Sequence, residues 1–323
     1  MDAVGRDGGK MTMEDLKNYR VIWADPLEIP YGDYVVHAQG EPSWGGVNLA
    51  EALNVSQEAN LIDMGHYSKS PEAFFWLDQI NRLDILPYIP ERQRSNMLGG
   101  ADTSNKSRTT RAHAQQLWAM MSNGELWITK VPDIKSPKHS DAVVVIDRWG
   151  NFAALLHSIK TDTWGDTGIF VDGISIADAA KFKQQQILET GPGKRLPERT
   201  EPLIISKNDK PFIALSSIGS GLHQVTLSVL LNIMGYNMTL KEAIDAPSQH
   251  FPKQTMDGVS IPQVFAGDFS DELINGVKEL GLDVELAPLS GGVRGFVIGA
   301  MIDSDGKRKA VTTPVLNGVA IGY

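Results

Sequence analysis

Residues 136–151 read SPKHSDAVVVIDRWGN, and the order of residue types along them decides the fold. A polar, proline-containing lead ends at Ser140, a β-branched run follows to Ile146, and Asp147-Arg148-Trp149-Gly150-Asn151 supplies turn chemistry. The next run, FAALLHSI, is apolar again, so the pair predicts a β-hairpin with Ser140 at the head of its first strand. A serine before a strand is, taken alone, a solvated loop residue. A cut between His139 and Ser140 would change its chemistry. The new α-amine, with a pKa of about 8, would sit beside the hydroxyl as its general base, and no histidine or aspartate partner would be required.

Downstream, EPLIISK and KPFIALSS flank Asn208-Asp209, and GFVIGAMIDSDGKRKAV repeats the strand–turn–strand pattern around Asp305-Gly306. Between them, SSIGSGLHQV reads as a strand end, a flexible turn and a helix start. The backbone N–H groups of Gly219 and Ser220 would converge there, aided by the helix dipole, as donors for an oxyanion. Val225, Val229 and Ile233 share one face of the predicted helix, and Thr239 with Glu242 forms a capping box for the next.

Upstream, Thr12 and Asp15 cap a short helix over MEDLKNYR, Tyr34 to Ala38 read as a strand, and a helix follows Gly45-Gly46. Residues 71–88 carry helical apolar spacing behind Pro71. Residues 89–111 turn polar and read as a loop, with a helix around AHAQQLWAMM and a strand around GELWITKV beyond them. Strand pairs alternating with helices predict a layered α+β sandwich.

The 323 residues suffice for a large core, and 42% hydrophobic against 21% charged residues is ordinary for a soluble protein. No apolar run approaches a membrane span. A net charge of -9 with scattered basic residues argues against nucleic acid as a partner. The absence of cysteine removes disulfides, thiolate metal sites and thiol nucleophiles. Seven histidines with no i, i+4 pair predict no metal site and no cofactor. The first residues lack a secretory leader pattern, which favours the cytoplasm as compartment.

The segments GGKMTMEDLKNYR, PSWGG, VVVIDRWGN, GPGKRLPERTEPLII, SSIGSG and EAIDAPSQHF stand in the order found in gamma-glutamyltranspeptidases, which the chain resembles over nearly its whole length. The resemblance implies a four-layer αββα sandwich of the N-terminal-nucleophile hydrolase type, incomplete on its N-terminal side. It implies that 1–139 corresponds to the later part of the large subunit and 140–323 to the small, catalytic subunit, in one interwoven domain. These enzymes cleave themselves before a catalytic threonine, whose place falls on Ser140. A second, activating threonine falls on Ser158, and the paired oxyanion glycines on Ile218 and Gly219, next to Ser220.

Other positions of the family pattern have changed. The serine pair that grips the glutamyl α-carboxylate falls on Glu198 and Arg199, the substrate asparagine on Lys160, and of the aspartate pair that holds the glutamyl amine only Asp178 remains near. A glutamate beside a carboxylate at about 4 Å costs on the order of 4 kcal/mol at intermediate dielectric. The resemblance therefore implies an amide hydrolase or acyltransferase acting on a small-molecule amide other than a standard gamma-glutamyl compound. Two alternatives stay open: a true gamma-glutamyl transferase with Arg199 as a rebuilt clamp, and a non-catalytic subunit. An incomplete sheet predicts a second chain or a homo-oligomer.

Overall fold

The computed structural model describes residues 2–6, 8–129, 140–158, 165–176, 180–256, 258–288, 295–313 and 318–322. Helix α1 (Asp2–Arg6) precedes α2 (Met13–Asn18), which carries the expected Thr12/Asp15 capping box. Strands β1 (Leu27–Tyr31) and β2 (Tyr34–Ala38) form a hairpin. Helix α3 (Gly45–Glu58) begins at the paired glycines, where any side chain on Gly45 would collide with the Thr200 carbonyl. Ser70 caps α4 (Pro71–Asn81), and a tighter 3-10 stretch continues it over Arg82–Tyr88.

Two sequence expectations fail in the next segment. Residues 89–111 hold two short helices, α5 (Glu91–Met97) and α6 (Asn105–Arg108), ahead of α7 (Arg111–Ser122). Each is one or two turns long, too short for apolar periodicity to show, and α6 rests on a local Ser104 cap. The strand expected around GELWITKV does not form over 125–129. Leu126 and Ile128 are buried there as irregular chain, and the Arg82 guanidinium takes up the Ile128 carbonyl at 2.7 Å.

Beyond residue 139 the pattern is read more faithfully. Strands β3 (Ser140–Ile146) and β4 (Phe152–Ser158) pair in unbroken antiparallel register. A minor hairpin, β5 (Phe170–Val171) with β6 (Ile174–Ser175), and helix α8 (Ala180–Thr190) lead to β7 (Leu203–Lys207) and β8 (Lys210–Gly219). Asn208 and Asp209, at φ 50° and 59°, make the left-handed turn between β7 and β8. Then come α9 (Leu222–Met234), α10 (Leu240–Asp245) with its Thr239/Glu242 box, β9 (His250–Gln254), β10 (Ser260–Phe265), α11 (Asp271–Glu279), β11 (Glu285–Ala287), β12 (Gly295–Ile302) and β13 (Arg308–Thr312).

The main sheet is antiparallel throughout, in the order β1-β2-β7-β8-β12-β13. Because β2 pairs with β7, strands from both sides of residue 140 share it. On one face lie α3 and α9, with α4 packed behind them. Every residue of α9 is buried, not only the expected Val225, Val229 and Ile233 face, since the helix is enclosed by the sheet, α3, α4 and α10. On the other face the β3–β4 hairpin crosses β7, β8 and β12 as a second β layer. The hairpin turns alternate residues inward, and leaves Val143, Val145 and Leu155 about half exposed on its outer side. Of the four layers expected, the described residues give a helical layer, the six-stranded sheet and, in the β3–β4 hairpin, a second β layer.

Candidate active site

The hairpin is fixed to the sheet at two points. Arg308, opposite Ile302 at the far end of β12, donates to the Asp147 and Arg148 carbonyls of the hairpin turn at 3.1 and 3.0 Å. Midway, the Ser216 hydroxyl donates to the Leu155 carbonyl at 3.2 Å. With its closed end held there, the open end of the hairpin points to the other end of the sheet, where Gly219 of β8 faces Gly295 of β12. Ser140 and Ser158 occupy that open end as directly opposed residues, both half-buried on the inner face. Directly opposed Cβ atoms lie about 4.5–5.5 Å apart, which brings the two hydroxyls within reach of each other. His157, on the outer face, pairs instead with Asp141 at 3.2 Å in solvent.

The Asp147 turn gives the hairpin its register. Its carboxylate accepts from the Asn151 side chain at 2.7 Å and from the amides of Asn151 and Trp149 at 2.9 Å, and these bonds, the Asn151 side chain foremost, hold the carboxyl below the usual range.

Strand β8 ends at Gly219 with φ 93°, and Gly221 stands at the N-cap of α9, so the strand–turn–helix read from SSIGSGLHQV is present. Ile218, Gly219 and Ser220 are all half-buried. The approach of β12 is close: a Cβ on Gly295 would run into the Gly221 carbonyl.

Arg199 is buried at 5% exposure and turned inward. Its Nη2 donates to the Ser220 carbonyl at 3.1 Å and lies 3.4 Å from Asp84 Oδ2. Burial would lower the guanidinium's pKa, but Asp84, Tyr88 and Glu201 outweigh it and hold the charge firmly. Glu198 serves structure with its backbone, its carbonyl accepting from the Trp44 amide at 2.6 Å and the Ser43 hydroxyl at 2.8 Å, while its carboxylate accepts from the Arg199 amide at 3.0 Å. Lys160, Asp178 and His139 lie outside the described residues.

Sequence reasoning missed the polar cluster behind this turn. Glu201 Oε1 is 2.7 Å from His223 Nδ1, both side chains 1% exposed, and Asp84 joins Asn48 at 2.6 Å. Asn48 accepts from Arg108 at 2.8 Å, and Arg108 and His113 both meet Glu51, at 2.7 and 2.9 Å. These residues stand up to 150 or more positions apart in the chain, so no spacing announces them; the one local signal is a histidine in the first turn of a helix that carries the apolar Val225, Val229 and Ile233 face. Among the described residues no group of three or more His, Cys, Asp or Glu could hold a metal ion, and no helix is long and apolar enough to cross a membrane.

Ser140 and Ser158 stand opposite one another at the open end of the hairpin, and a family profile described as Gamma-glutamyltranspeptidase matches residues 1–322. The chain belongs to the gamma-glutamyltranspeptidase family. Among curated relatives, the glutathione hydrolase proenzyme of Escherichia coli (strain K12) is 22% identical over 91% of this chain and 52% of its own length. The glutathione hydrolase-like YwrD proenzyme of Bacillus subtilis (strain 168) is 24% identical over 98% and 59%. The Acylase ACY 1 proenzyme of Pseudomonas sp. (strain SE83) is 21% identical over 76% and 44%. The chain thus spans about half the length of the curated relatives it matches. A solved structure titled "Structure of LmbA2991T421A" superposes on 95% of this chain and 57% of its own with a TM-score of 0.69 at 18% identity, a likeness of fold that fits the α+β sandwich of this gamma-glutamyltranspeptidase relative.

Proposed function

We propose that this chain carries the nucleophile of an N-terminal-nucleophile amide hydrolase or acyltransferase. The observation that carries this reading is the pairing of Ser140 with Ser158 at the open end of a hairpin stacked on β8, the strand that ends at the Gly219 turn. In the activating step, the Ser140 hydroxyl oxygen attacks the His139 carbonyl carbon and the C–N bond breaks, leaving an ester at Ser140 and its amine free. Water then hydrolyses the ester. In catalysis the freed amine takes the proton of the same hydroxyl as the oxygen attacks a substrate amide, and passes it to the departing amine. Water or an acceptor amine takes the acyl group from Ser140. The amides at Gly219 and Ser220 stabilise both oxyanions, and the Ser158 hydroxyl hydrogen-bonds the nucleophile.

The inward turn of Arg199 favours an acyl group without the glutamyl α-carboxylate, because its guanidinium already meets Asp84 and the Ser220 carbonyl. One curated relative bears the name acylase, in keeping with that choice. The exposed outer side of the hairpin and the exposed Tyr19, Val21, Ile22 and Trp23 support a second chain that completes the enzyme. The test is incubation of the purified protein, with any chain that accompanies it, followed by a denaturing gel and N-terminal sequencing. The reading requires a fragment beginning at Ser140 that is absent in Ser140→Ala, and hydrolysis of a neutral N-acyl amide over a gamma-glutamyl anilide. An intact chain in an active sample refutes the cut, and preference for the anilide refutes the substrate class.

A further inference from the structure

The buried polar cluster behind the Gly219–Gly221 turn forms one connected line. It runs from His113 to Glu51, from Glu51 to Arg108, through Asn48 to Asp84, and from Asp84 to Arg199, which ends on the Ser220 carbonyl. Every residue in it is 5% exposed or less. Desolvating charges in this way is costly unless they are paired and hydrogen-bonded, so a packed apolar cluster would serve plain stability at least as well. What the line adds is direction: its last bond grips the one backbone carbonyl that lies between the candidate oxyanion amides and the helix N-cap Gly221.

We propose that Arg199, aimed by Asp84, is a positioning residue that fixes the Ser220–Gly221 peptide, the one that follows the two carrying the oxyanion donors, and thereby restrains the orientation of those donors. Resting on the reading above, this assigns Arg199 to the protein side of the site and explains how a turn built on Ile218, Gly219, Ser220 and Gly221 keeps its amides aligned although Gly219 and Gly221 are the most permissive of residues. Asp84 restrains the guanidinium, and Asn48, bonded to both Asp84 and Arg108, passes the restraint on to α3.

The experiment compares Arg199→Gln, Arg199→Lys and Asp84→Asn with wild type by amide hydrogen exchange over 216–222, which reads the turn whether or not a substrate is known. Arg199→Gln and Asp84→Asn are expected to exchange about tenfold faster or more in that segment, with α9 beyond Val225 unchanged, and Arg199→Lys to fall between. In the active protein, Arg199→Gln is expected to lower kcat about a hundredfold, as for loss of one oxyanion donor, with KM within about threefold. Arg199→Lys keeps the charge and partly restores kcat. Should Arg199→Gln not fold, Arg199→Lys and Asp84→Asn carry the comparison. Unchanged exchange in the turn of the folded variants overturns the positioning role. Faster exchange in a wild-type background that never cuts at Ser140 would retain that role and sink the catalytic reading instead.

Discussion

Ser158 shares the inner face and the register position of Ser140, yet it has no route to an amine of its own, so in the proposed function its contribution would be a hydrogen bond to the nucleophile. A bond to a group that gains charge contributes about 1.5–3 kcal/mol, so Ser158→Ala is expected to slow both self-cleavage and turnover about ten- to a hundredfold, while Ser158→Thr retains them; gel half-times and initial rates check this. A second residue-scale consequence concerns charge. Glu51, Asp84 and Glu201 are three buried carboxylates against the two guanidinium groups of Arg108 and Arg199, and His223 lies 2.7 Å from Glu201. Burial alone would push His223 down, but Glu201 and Asp84 outweigh it and raise it above its ordinary value. A raised histidine stabilises fully below its unfolded pKa of about 6.5 and loses that contribution as pH rises through the folded value. Thermal midpoints should therefore fall from neutral toward alkaline pH, and Glu201→Gln should flatten that slope; a flat wild-type profile would contradict the pairing.

At the scale of elements, the β8–α9 turn and the start of β12 are pressed together at Gly295, where a Cβ would meet the Gly221 carbonyl and stand 2.6 Å from Val225 Cγ2. Gly295→Ala is expected to destabilise by about 1–3 kcal/mol, the usual cost of overpacking, measured by urea denaturation, and to slow self-cleavage beyond what the stability loss explains. The β3–β4, β7–β8 and β12–β13 hairpins were legible in the sequence because their turns are coded within five residues: Asp147 to Asn151, Asn208-Asp209 and Asp305-Gly306 each carry their own chemistry, whereas β1–β2 and β5–β6 were not read. The capping boxes at Thr12 and Thr239 were legible for the same reason. The short helices in 89–111 and the irregular 125–129 were not, since their shape comes from what they pack on, with Leu98, Leu126 and Ile128 drawn into a core built by distant segments. Likewise the position of Arg199 could be read, but its direction depends on Asp84, 115 residues earlier.

At the scale of the whole molecule, one side of the second β layer faces solvent with Val143, Val145 and Leu155 in a row, and Trp23 near the start of the chain is 92% exposed. If that side is where a second chain docks, Val143→Lys with Leu155→Lys should abolish co-purification of the partner and lower binding of a hydrophobic dye, with the fold intact by circular dichroism; a partner retained undiminished by the double variant would place the contact elsewhere. The shared sheet has a further consequence. Since β2 and β7 are hydrogen-bonded neighbours from opposite sides of residue 140, scission there would not release either piece. It would alter the return path: the cut protein, once denatured, is two molecules that must find each other, so its recovery becomes second order and dilution alone prevents it. Folding would have to be complete before such a cut, and the cut would then work as a ratchet that leaves the assembled pieces held by the slowness of their own disassembly.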